Sequence, residues 1–224
     1  MDKEFINSML YWDLRHARDD WPRWSAWALQ TPIKSIINRG SVIDVACGQG
    51  MECISLFKHR PDLNLIVGFD LSVHAIKKAN INLEKAKIGY PDLDWTRVRF
   101  EVQDIFNMDS LYGTMSTFNY CISIQNMEHW KPEFHNIAAK HMLDFVKYGG
   151  KVFFTGVGKS WEMDENNYGV LILPDGKAVD AENDLHYTSW SEQDVYDLFI
   201  GQGASQVTFF PTRQGDRVIA EVTK

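Results

Sequence analysis

The sequence predicts an α/β fold, with a seven-stranded, mostly parallel sheet, helices on both of its faces and a reversed last strand. Three observations favour this fold. Short apolar runs alternate with amphipathic helical patterns along most of the chain. The first apolar run ends at glycines that open a helix. The last two apolar runs are separated by too few residues for a crossover helix, so their strands must be antiparallel.

The composition indicates one folded, acidic domain. The chain has 224 residues, 45% of them hydrophobic, which suits a single domain, residues 1–224, with a substantial core. A net charge of −7 without a basic block argues against a nucleic-acid partner, whose phosphates require a cationic surface. The three cysteines, Cys47, Cys53 and Cys121, lack the spacing of metal ligands, so we expect reduced thiols in the core.

Membrane and export signals are not found in the sequence. No apolar run approaches the ~20 residues that a membrane helix needs. The charged N-terminus shows no apolar signal region. We therefore expect a cytoplasmic protein without a membrane partner, either a monomer or a homodimer.

The first part of the chain, residues 1–38, predicts a helical flap rich in aromatic side chains. We expect most of these rings to anchor the flap to the sheet. Tyr11 and Trp12 are candidates to line a ligand pocket instead. Arg15 is a candidate to pair with a ligand carboxylate, since guanidinium groups bind carboxylates well.

The segment that follows organises the chain. Val42 to Val45 is a short apolar run typical of a buried strand, and it breaks into Gly48 and Gly50 before a helix begins. Glycines let a ligand approach the backbone closely, and a helix N-terminus offers free N–H groups. Asp44 adds a carboxylate, which repels a pyrophosphate and attracts an ammonium. The pattern therefore favours a zwitterionic amino-acid nucleoside over a dinucleotide.

The run Asp44-Val-Ala-Cys-Gly-Gln-Gly50 resembles the first motif of class I S-adenosylmethionine-dependent methyltransferases. The resemblance covers about residues 40–158 by motif and extends to the C-terminus by strand order. It implies a Rossmann-like fold and S-adenosyl-L-methionine as cofactor, with S-adenosyl-L-homocysteine as product. Ala46 stands where the family's fuller pattern has its first glycine. The residues that this motif implies for cofactor binding are Asp44, Ala46, Cys47, Gly48 and Gly50.

The second predicted strand, Leu63 to Asp70, ends in an acid followed by Leu71 and Ser72. Asp70 follows Gly50 by about 20 residues, the spacing at which an acid receives ribose hydroxyls. The resemblance places Asp70 and Leu71 at the cofactor. The alternative is that Asp70 only caps the next helix, although Ser72 is the more natural N-cap.

The third predicted strand, Arg97 to Val102, runs into Asp104 and Ile105. In the resembled family an acid at this point accepts a hydrogen bond from the adenine amino group, and the backbone N–H of the next residue reaches the ring. Asp104 and Ile105 fit those roles. The alternative for Asp104 is an ordinary turn residue.

The fourth predicted strand, Asn119 to Ile124, leads directly into a polar loop. Catalytic side chains gather at the carboxyl ends of strands in such sheets, and His129 can act as a general base there. A structural role for His129 is equally open. Gln125 is a candidate contact for the cofactor or the acceptor. The candidate acceptor contacts in this loop are Asn126, Glu128 and Trp130.

Glu128 and His129 also resemble part of the Glu-x-x-Glu-His pattern of metal-assisted O-methyltransferases. Gln125 replaces the first glutamate of that pattern. Because losing a carboxylate weakens a divalent-metal site, we predict no metal.

The next predicted helix begins at Pro132, with Ile137 among its apolar positions, and ends at the glycine stop Tyr148-Gly149-Gly150. Lys151 to Thr155 is the fifth predicted strand. Residues 159–189 predict an insertion that roofs the substrate pocket, with a hairpin between Val170 and Val179. His186, within this insertion, is a second candidate base and acceptor contact.

The C-terminal part predicts a helix from Ser191 to Gly201, with Ser191 as N-cap, and then two strands. These strands are Gln206 to Phe210 and Arg217 to Val222. A parallel sheet that ends in one reversed strand is a further likeness to methyltransferases.

The interpretation is an enzyme that transfers a methyl group from S-adenosylmethionine to an oxygen or nitrogen atom of a small-molecule acceptor. Three alternatives remain. A nicotinamide-dependent dehydrogenase is disfavoured by Asp44, by Cys53 at the third glycine of the dinucleotide motif, and by the lack of a Tyr-x-x-x-Lys pair. An aminopropyltransferase would accept the decarboxylated cofactor. A non-enzymatic scaffold would bind the cofactor without turnover.

Overall fold

The structure is a computed structural model of the 224-residue chain. It describes residues 3–17, 33–107, 116–159, 170–172, 178–180, 188–212 and 217–224. His186 and most of the predicted insertion lie outside these ranges. The two short strands at 170–172 and 178–180 pair antiparallel, which confirms the predicted hairpin.

The strands of the described residues are these, in chain order: β1 Gly40–Val45, β2 Leu63–Asp70, β3 Val98–Val102, β4 Phe118–Ile124, β5 Val146–Val157, β6 Val170–Ile172, β7 Ala178–Asp180, β8 Gln206–Phe209 and β9 Arg217–Thr223. The helices are α1 Lys3–Ala17, α2 Ile33–Ile36, α3 Met51–His59, α4 Val73–Gly89, α5 Pro132–Phe145 and α6 Glu192–Gly201. Two short 3₁₀ turns cover Trp95–Arg97 and Met127–His129.

The main sheet has seven strands in the spatial order β3-β2-β1-β4-β5-β9-β8. Strands β1 to β5 pair in parallel, and β9 runs antiparallel to both of its neighbours. This arrangement confirms the predicted α/β fold with a reversed last strand. The strand order changes direction between β1 and β4, and ligands of open α/β sheets bind in the crevice at that point.

Two layers of helices bury the two faces of the sheet. Adjacent residues of β5 illustrate the division, because Phe153 and Phe154 point to opposite faces. Phe154 belongs to the cluster under α5 and α6, and Phe153 to the cluster under α2, α3 and α4. The three cysteines are buried with free thiols, as predicted.

The helix caps follow the sequence closely. Ser72 caps α4, and its Oγ accepts from the Ala75 N–H at 2.9 Å. Ser191 caps α6 and forms a reciprocal pair with Asp194, whose carboxylate accepts from the Ser191 N–H. Both predicted N-caps are confirmed, and they fix the residue at which each helix begins.

The predicted end of α5 is wrong. The helix ends at Phe145 and β5 begins at Val146, so Tyr148-Gly149-Gly150 lies within the strand. Gly149 has a φ of 72°, and the pairing register with β4 shifts across this segment. The glycines therefore form a bulge rather than a helix stop. Ile137 was predicted to lie on the buried face of α5, but it is 43% exposed. Ala138 and Ala139 face the core instead.

The turn between β1 and α3 depends on Gly50. Its φ is 73°, and a Cβ at this position would lie 2.4 Å from Cζ of Phe100. Phe100 projects from β3 and packs against the turn from below. Gly50 is therefore required by the packing of the sheet as well as by the shape of the turn.

We expect Gly50→Ala to lower the free energy of unfolding by about 2 kcal/mol or more, because it adds backbone strain and a clash. Gly89→Ala is the matched control. Gly89 ends α4 with nothing within 4 Å of its Cβ position, so its substitution should be neutral or stabilising by up to ~1 kcal/mol. Urea denaturation measures both. Equal stability of the Gly50 variant and the wild type would contradict this role.

Candidate cofactor site and active site

The glycine turn is fastened to the end of β2 by backbone hydrogen bonds. The Cys47 N–H donates to the Phe69 carbonyl at 2.9 Å, and the Gly48 N–H donates to Oδ2 of Asp70 at 2.9 Å. Ala46, Gly48 and Gly50 all have positive φ values, of 54°, 53° and 73°. Ala46 thus occupies a backbone conformation that favours glycine. The turn lies at the crevice between β1 and β4.

Asp70 joins this turn to α4. While Oδ2 accepts from Gly48, Oδ1 accepts from the Ser72 N–H at 2.8 Å. Leu71, between them, is partly exposed. Each carboxylate oxygen has two lone pairs, so each retains acceptor capacity for a ligand hydroxyl. The two sequence-based alternatives are compatible, because Asp70 holds the turn while Ser72 caps the helix.

Asp44 lies beneath the turn rather than at its rim. Its side chain is 1% exposed, and Oδ2 accepts a hydrogen bond from the Cys53 thiol at 3.1 Å. Burial raises the pKa of Asp44 to about 7, the Cys53 bond lowers it, and the nearby Asp70 charge raises it further. A cofactor contact for this carboxylate stays a prediction. The packing of α3, which carries Cys53, covers it.

The end of β3 holds the third predicted pair. Oδ1 of Asp104 accepts from the Phe106 N–H at 2.8 Å, a turn-forming contact. Ile105 is buried, and its carbonyl lies 2.6 Å from Nδ1 of His141 on α5. The bond to Phe106 uses one lone pair of the Asp104 carboxylate. Asp104 therefore keeps acceptor capacity at this edge of the sheet.

Asn126 joins the two strands that flank the crevice. Its Nδ2 donates to the Val45 carbonyl at 2.5 Å, and its Oδ1 accepts from the Ser123 hydroxyl at 2.7 Å. Gln125, just before it, has a φ of 51°, and its N–H donates to the Thr155 carbonyl. Asn126 is 7% exposed. These bonds give its amide a structural role, and an acceptor contact for it stays a prediction.

Glu128 is a buried carboxyl group in the 3₁₀ turn after β4. It is 1% exposed, and its Oε2 has no hydrogen-bond partner among the described residues. Burial raises the pKa of Glu128 to about 8, opposed by its own backbone N–H and by the positive charge of Arg217. The folded protein therefore holds this carboxyl group mainly uncharged at neutral pH.

His129 lies at the end of the same turn, against α1. The centroids of its ring and the Trp12 ring are 4.4 Å apart, with a tilt of 51°. Tyr11 is fully buried and packs edge-on against Trp12 at 5.3 Å. Trp130 packs instead against Phe106, at 5.4 Å. Helix α1 thus reaches the loop that carries the candidate base.

Sequence reasoning missed two residues of α1. His16 lies directly above the glycine turn, with its Cε1 3.5 Å from the Cβ position of Gly48. Asp13 contacts the start of α4 through Ser72 and His74. The available signal was the i, i+4 spacing of Trp12 and His16, which places both on one helix face. Arg15, the residue that was predicted, is partly buried on the same helix.

No group of three or more His, Cys, Asp or Glu side chains among the described residues is arranged to hold a metal ion. A search of the same residues finds no helix that is both long and apolar enough to cross a membrane.

One comparison with known proteins identifies a family. A family model described as a methyltransferase domain matches residues 38–196. No curated protein matches the chain significantly. Many solved structures do match. A complex of DhpI with SAH has 18% identity and a TM-score of 0.69, and the match covers 99% of this chain and 98% of that one.

Two further structures share the fold but belong to longer chains. The methyltransferase SibL, in its apo form, has 20% identity and a TM-score of 0.64 over 88% of this chain and 53% of that one. A Haemonchus contortus phosphoethanolamine N-methyltransferase 2 with S-adenosyl-L-methionine has 18% identity and a TM-score of 0.60, over 83% and 37%. The chain thus spans about half the length of SibL.

The raised pKa of Glu128 predicts a specific dependence of stability on pH. The folded-state pKa lies above the ordinary value of 4.5. The contribution of Glu128 to the free energy of unfolding is therefore fully present below pH 4.5 and is lost as the pH rises towards about 8. Glu128→Gln should therefore gain stability relative to the wild type across this window, by up to ~1.4 kcal/mol per pH unit.

Thermal unfolding between pH 5 and pH 8, a range that spans most of this window, measures the difference. The exposed Glu133 in α5 provides the control, since Glu133→Gln should follow the wild-type curve. Parallel pH curves for the Glu128 variant and the wild type would show that the carboxyl group is ionised in the fold.

Proposed function

Because the chain belongs to the methyltransferase-domain family, whose model matches residues 38–196, we propose that it transfers the methyl group of S-adenosyl-L-methionine to an oxygen or nitrogen atom of a small-molecule acceptor. The observation that carries this proposal is the glycine turn hydrogen-bonded to Asp70 at the crevice of the sheet. A backbone turn with positive φ values, a helix N-terminus and a carboxylate at the next strand suit a nucleoside with a charged amino-acid end.

The residues present fit this cofactor. Gly48 leaves space above the turn, where a Cβ would meet only His16 at 3.5 Å. Asp70 retains lone pairs for the ribose hydroxyls, and Asp104 retains them for the adenine amino group. Burial raises the pKa of Asp44, just below, to about 7, and the positive charge of a bound amino-acid end would favour its ionised form. Ala46, Cys47, Leu71, Ile105, Gln125, Trp12 and Arg15 complete the proposed cofactor contacts.

The cofactor supplies a methyl group already activated by its positive sulfur. The chain's own residues therefore have to position the acceptor and exclude water. In this proposal His129 accepts the proton of an acceptor hydroxyl or amine, because an imidazole titrates near working pH. Its contact with Trp12 supports the proposal, since the indole shields one side of the ring from water.

The proposed acceptor contacts begin with Glu128, which precedes His129 in the same 3₁₀ turn. Glu128, held mainly uncharged by burial, can donate a hydrogen bond as well as accept one, which suits a polar acceptor. Tyr11, Asn126, Trp130 and His186 are the other proposed contacts. An acidic chain without a basic block favours a small molecule over a nucleic acid. The Haemonchus contortus enzyme is named for phosphoethanolamine, which is a small molecule.

The test of the activity uses S-adenosylmethionine labelled in its methyl group. The protein is incubated with the small-molecule, protein, RNA and DNA fractions of a cell extract in separate reactions. The proposal expects label in a small-molecule product that separates from the labelled S-adenosylmethionine itself and forms only when the protein is present. Label in a macromolecular fraction alone would contradict the acceptor class. An aminopropyltransferase would leave the methyl group on methylthioadenosine, so it is tested separately with decarboxylated cofactor labelled in its aminopropyl group.

Asp70→Ala should weaken the binding of S-adenosylhomocysteine about 10- to 100-fold, because hydrogen bonds to a charged group are lost. Because Asp70 also holds the turn, weaker binding by this variant could come from a distorted turn. A ligand that lacks the ribose hydroxyls is therefore tested as well. The wild type should bind the 2′,3′-dideoxy form of the ligand less well, and the variant should show no further loss. Asp94→Ala is the control, because Asp94 accepts from Thr96 in the turn before β3.

Calorimetry measures these affinities. Equal discrimination against the dideoxy ligand by the wild type and the Asp70 variant would remove the ribose assignment.

His129→Ala should slow methyl transfer by about 10²- to 10⁴-fold if the imidazole is the general base. The affinity for S-adenosylhomocysteine should change little, since the proposed role is towards the acceptor. His59→Ala is the control, because His59 is exposed at the far end of α3. Unchanged turnover in the His129 variant would make this histidine structural.

A further inference from the structure

Helix α1 carries three polar or aromatic contacts on adjoining parts of one face. Trp12 lies against His129, Asp13 against the start of α4, and His16 above the glycine turn. Asp13 and His16 follow Trp12 by one and four residues, so the three side chains fall within an arc of about 100° around the helix axis. One helix therefore touches both the candidate base and the candidate cofactor turn.

Asp13 makes the fastening contact. Its Oδ1 accepts from the Ser72 hydroxyl at 2.6 Å and from the His74 N–H at 3.2 Å, and its Oδ2 lies 2.8 Å from Nδ1 of His74. Burial raises the pKa of Asp13, but the hydrogen bonds from Ser72 and His74 outweigh it and lower the pKa below its usual value. The ionised carboxylate is therefore the form that the contact requires.

The contact also lies at a favourable place on α4. The Ser72 hydroxyl accepts from the Ala75 N–H and donates to Asp13, so the helix cap and the fastening share one group. A negative charge at a helix N-terminus is stabilised by the free N–H groups there. Ser72 is two residues from Asp70, so α1 is attached next to the carboxylate that holds the turn.

His16 lies one helical turn from Asp13. Its ring approaches the Cβ position of Gly48 to 3.5 Å. Burial lowers the pKa of His16, the charges of Asp70 and Asp13 oppose this shift, and those of Lys78 and His74 add to it. A ligand on the glycine turn would come within reach of this ring. A neutral imidazole can donate one hydrogen bond and accept another there.

We propose that His16 is a further cofactor-binding residue, in contact with the amino-acid end of the nucleoside on the glycine turn, and that Asp13 is the positioning residue that holds it there by fastening α1 to α4. This inference rests on the proposed function for the identity of the ligand. The fastening of α1 is tested separately from ligand binding.

The experiment compares Asp13→Asn and His16→Ala in the full chain. Binding of S-adenosylhomocysteine is measured by calorimetry, and hydrogen exchange is followed for the amides of residues 10–17. Asp13→Asn should weaken binding about tenfold, as expected for losing a charged hydrogen bond, and should speed exchange in α1. His16→Ala should also weaken binding, and it should leave the exchange of α1 unchanged.

Asp62→Asn is the matched control. Like Asp13, Asp62 is a hydrogen-bonded aspartate, but its side-chain partner is Arg60 and it lies before the amino end of β2. This variant should bind like the wild type and keep the exchange of α1. In the double variant, Asp13→Asn with His16→Ala, the fold-loss of affinity should be smaller than the product of the two single fold-losses, because Asp13 acts through His16.

Each failure has its own signature. If the wild type does not bind S-adenosylhomocysteine, the proposed function fails, and the cofactor contact of His16 fails with it. If the wild type binds and the His16 variant binds equally well, only the contact is overturned. Unchanged exchange in the Asp13 variant overturns the fastening, and independent losses in the double variant overturn the action of Asp13 through His16.

Discussion

The hydrogen bond from the Gly48 N–H to the Asp70 carboxylate is the constraint on which the site depends. It fixes the turn after β1 to the end of β2, and the same carboxylate accepts from the Ser72 N–H at the start of α4. Gly50 adopts its positive φ without a side chain, and Phe100 fills the space that a side chain would take. One carboxylate therefore joins the turn after β1, the end of β2 and the start of α4.

Two further carboxyl groups of this part of the chain are buried. Asp44 and Glu128 are each 1% exposed, and burial raises their pKa values to about 7 and about 8. Both lie at the carboxyl edge of the sheet, one under the turn and one after β4. Burying a carboxyl group costs free energy of folding, and carboxyl groups with shifted pKa values are found most often at functional sites. Asp44 becomes ionised readily when a cation binds above it, since a positive neighbour lowers a carboxyl pKa.

The sequence predicted what short-range patterns control. Alternating strand and helix patterns were enough to predict the fold, and the spacing of about 20 residues from Gly50 was enough to select Asp70 as a candidate. The burial of Asp44 was not predictable, because it depends on how α3 packs Cys53 against it. Asp13 was missed because its partner Ser72 is 59 residues away along the chain. The bulge at Gly149 was mistaken for a helix stop because both use a left-handed glycine.

The most direct measurement is a crystal structure of the protein with S-adenosylhomocysteine. The account predicts the nucleoside across the carboxyl ends of β1, β2 and β3, with its ribose hydroxyls on Asp70 and its amino-acid end above Gly48. A structure without the ligand at a concentration that saturates related enzymes, or with the ligand bound elsewhere on the chain, would contradict the account.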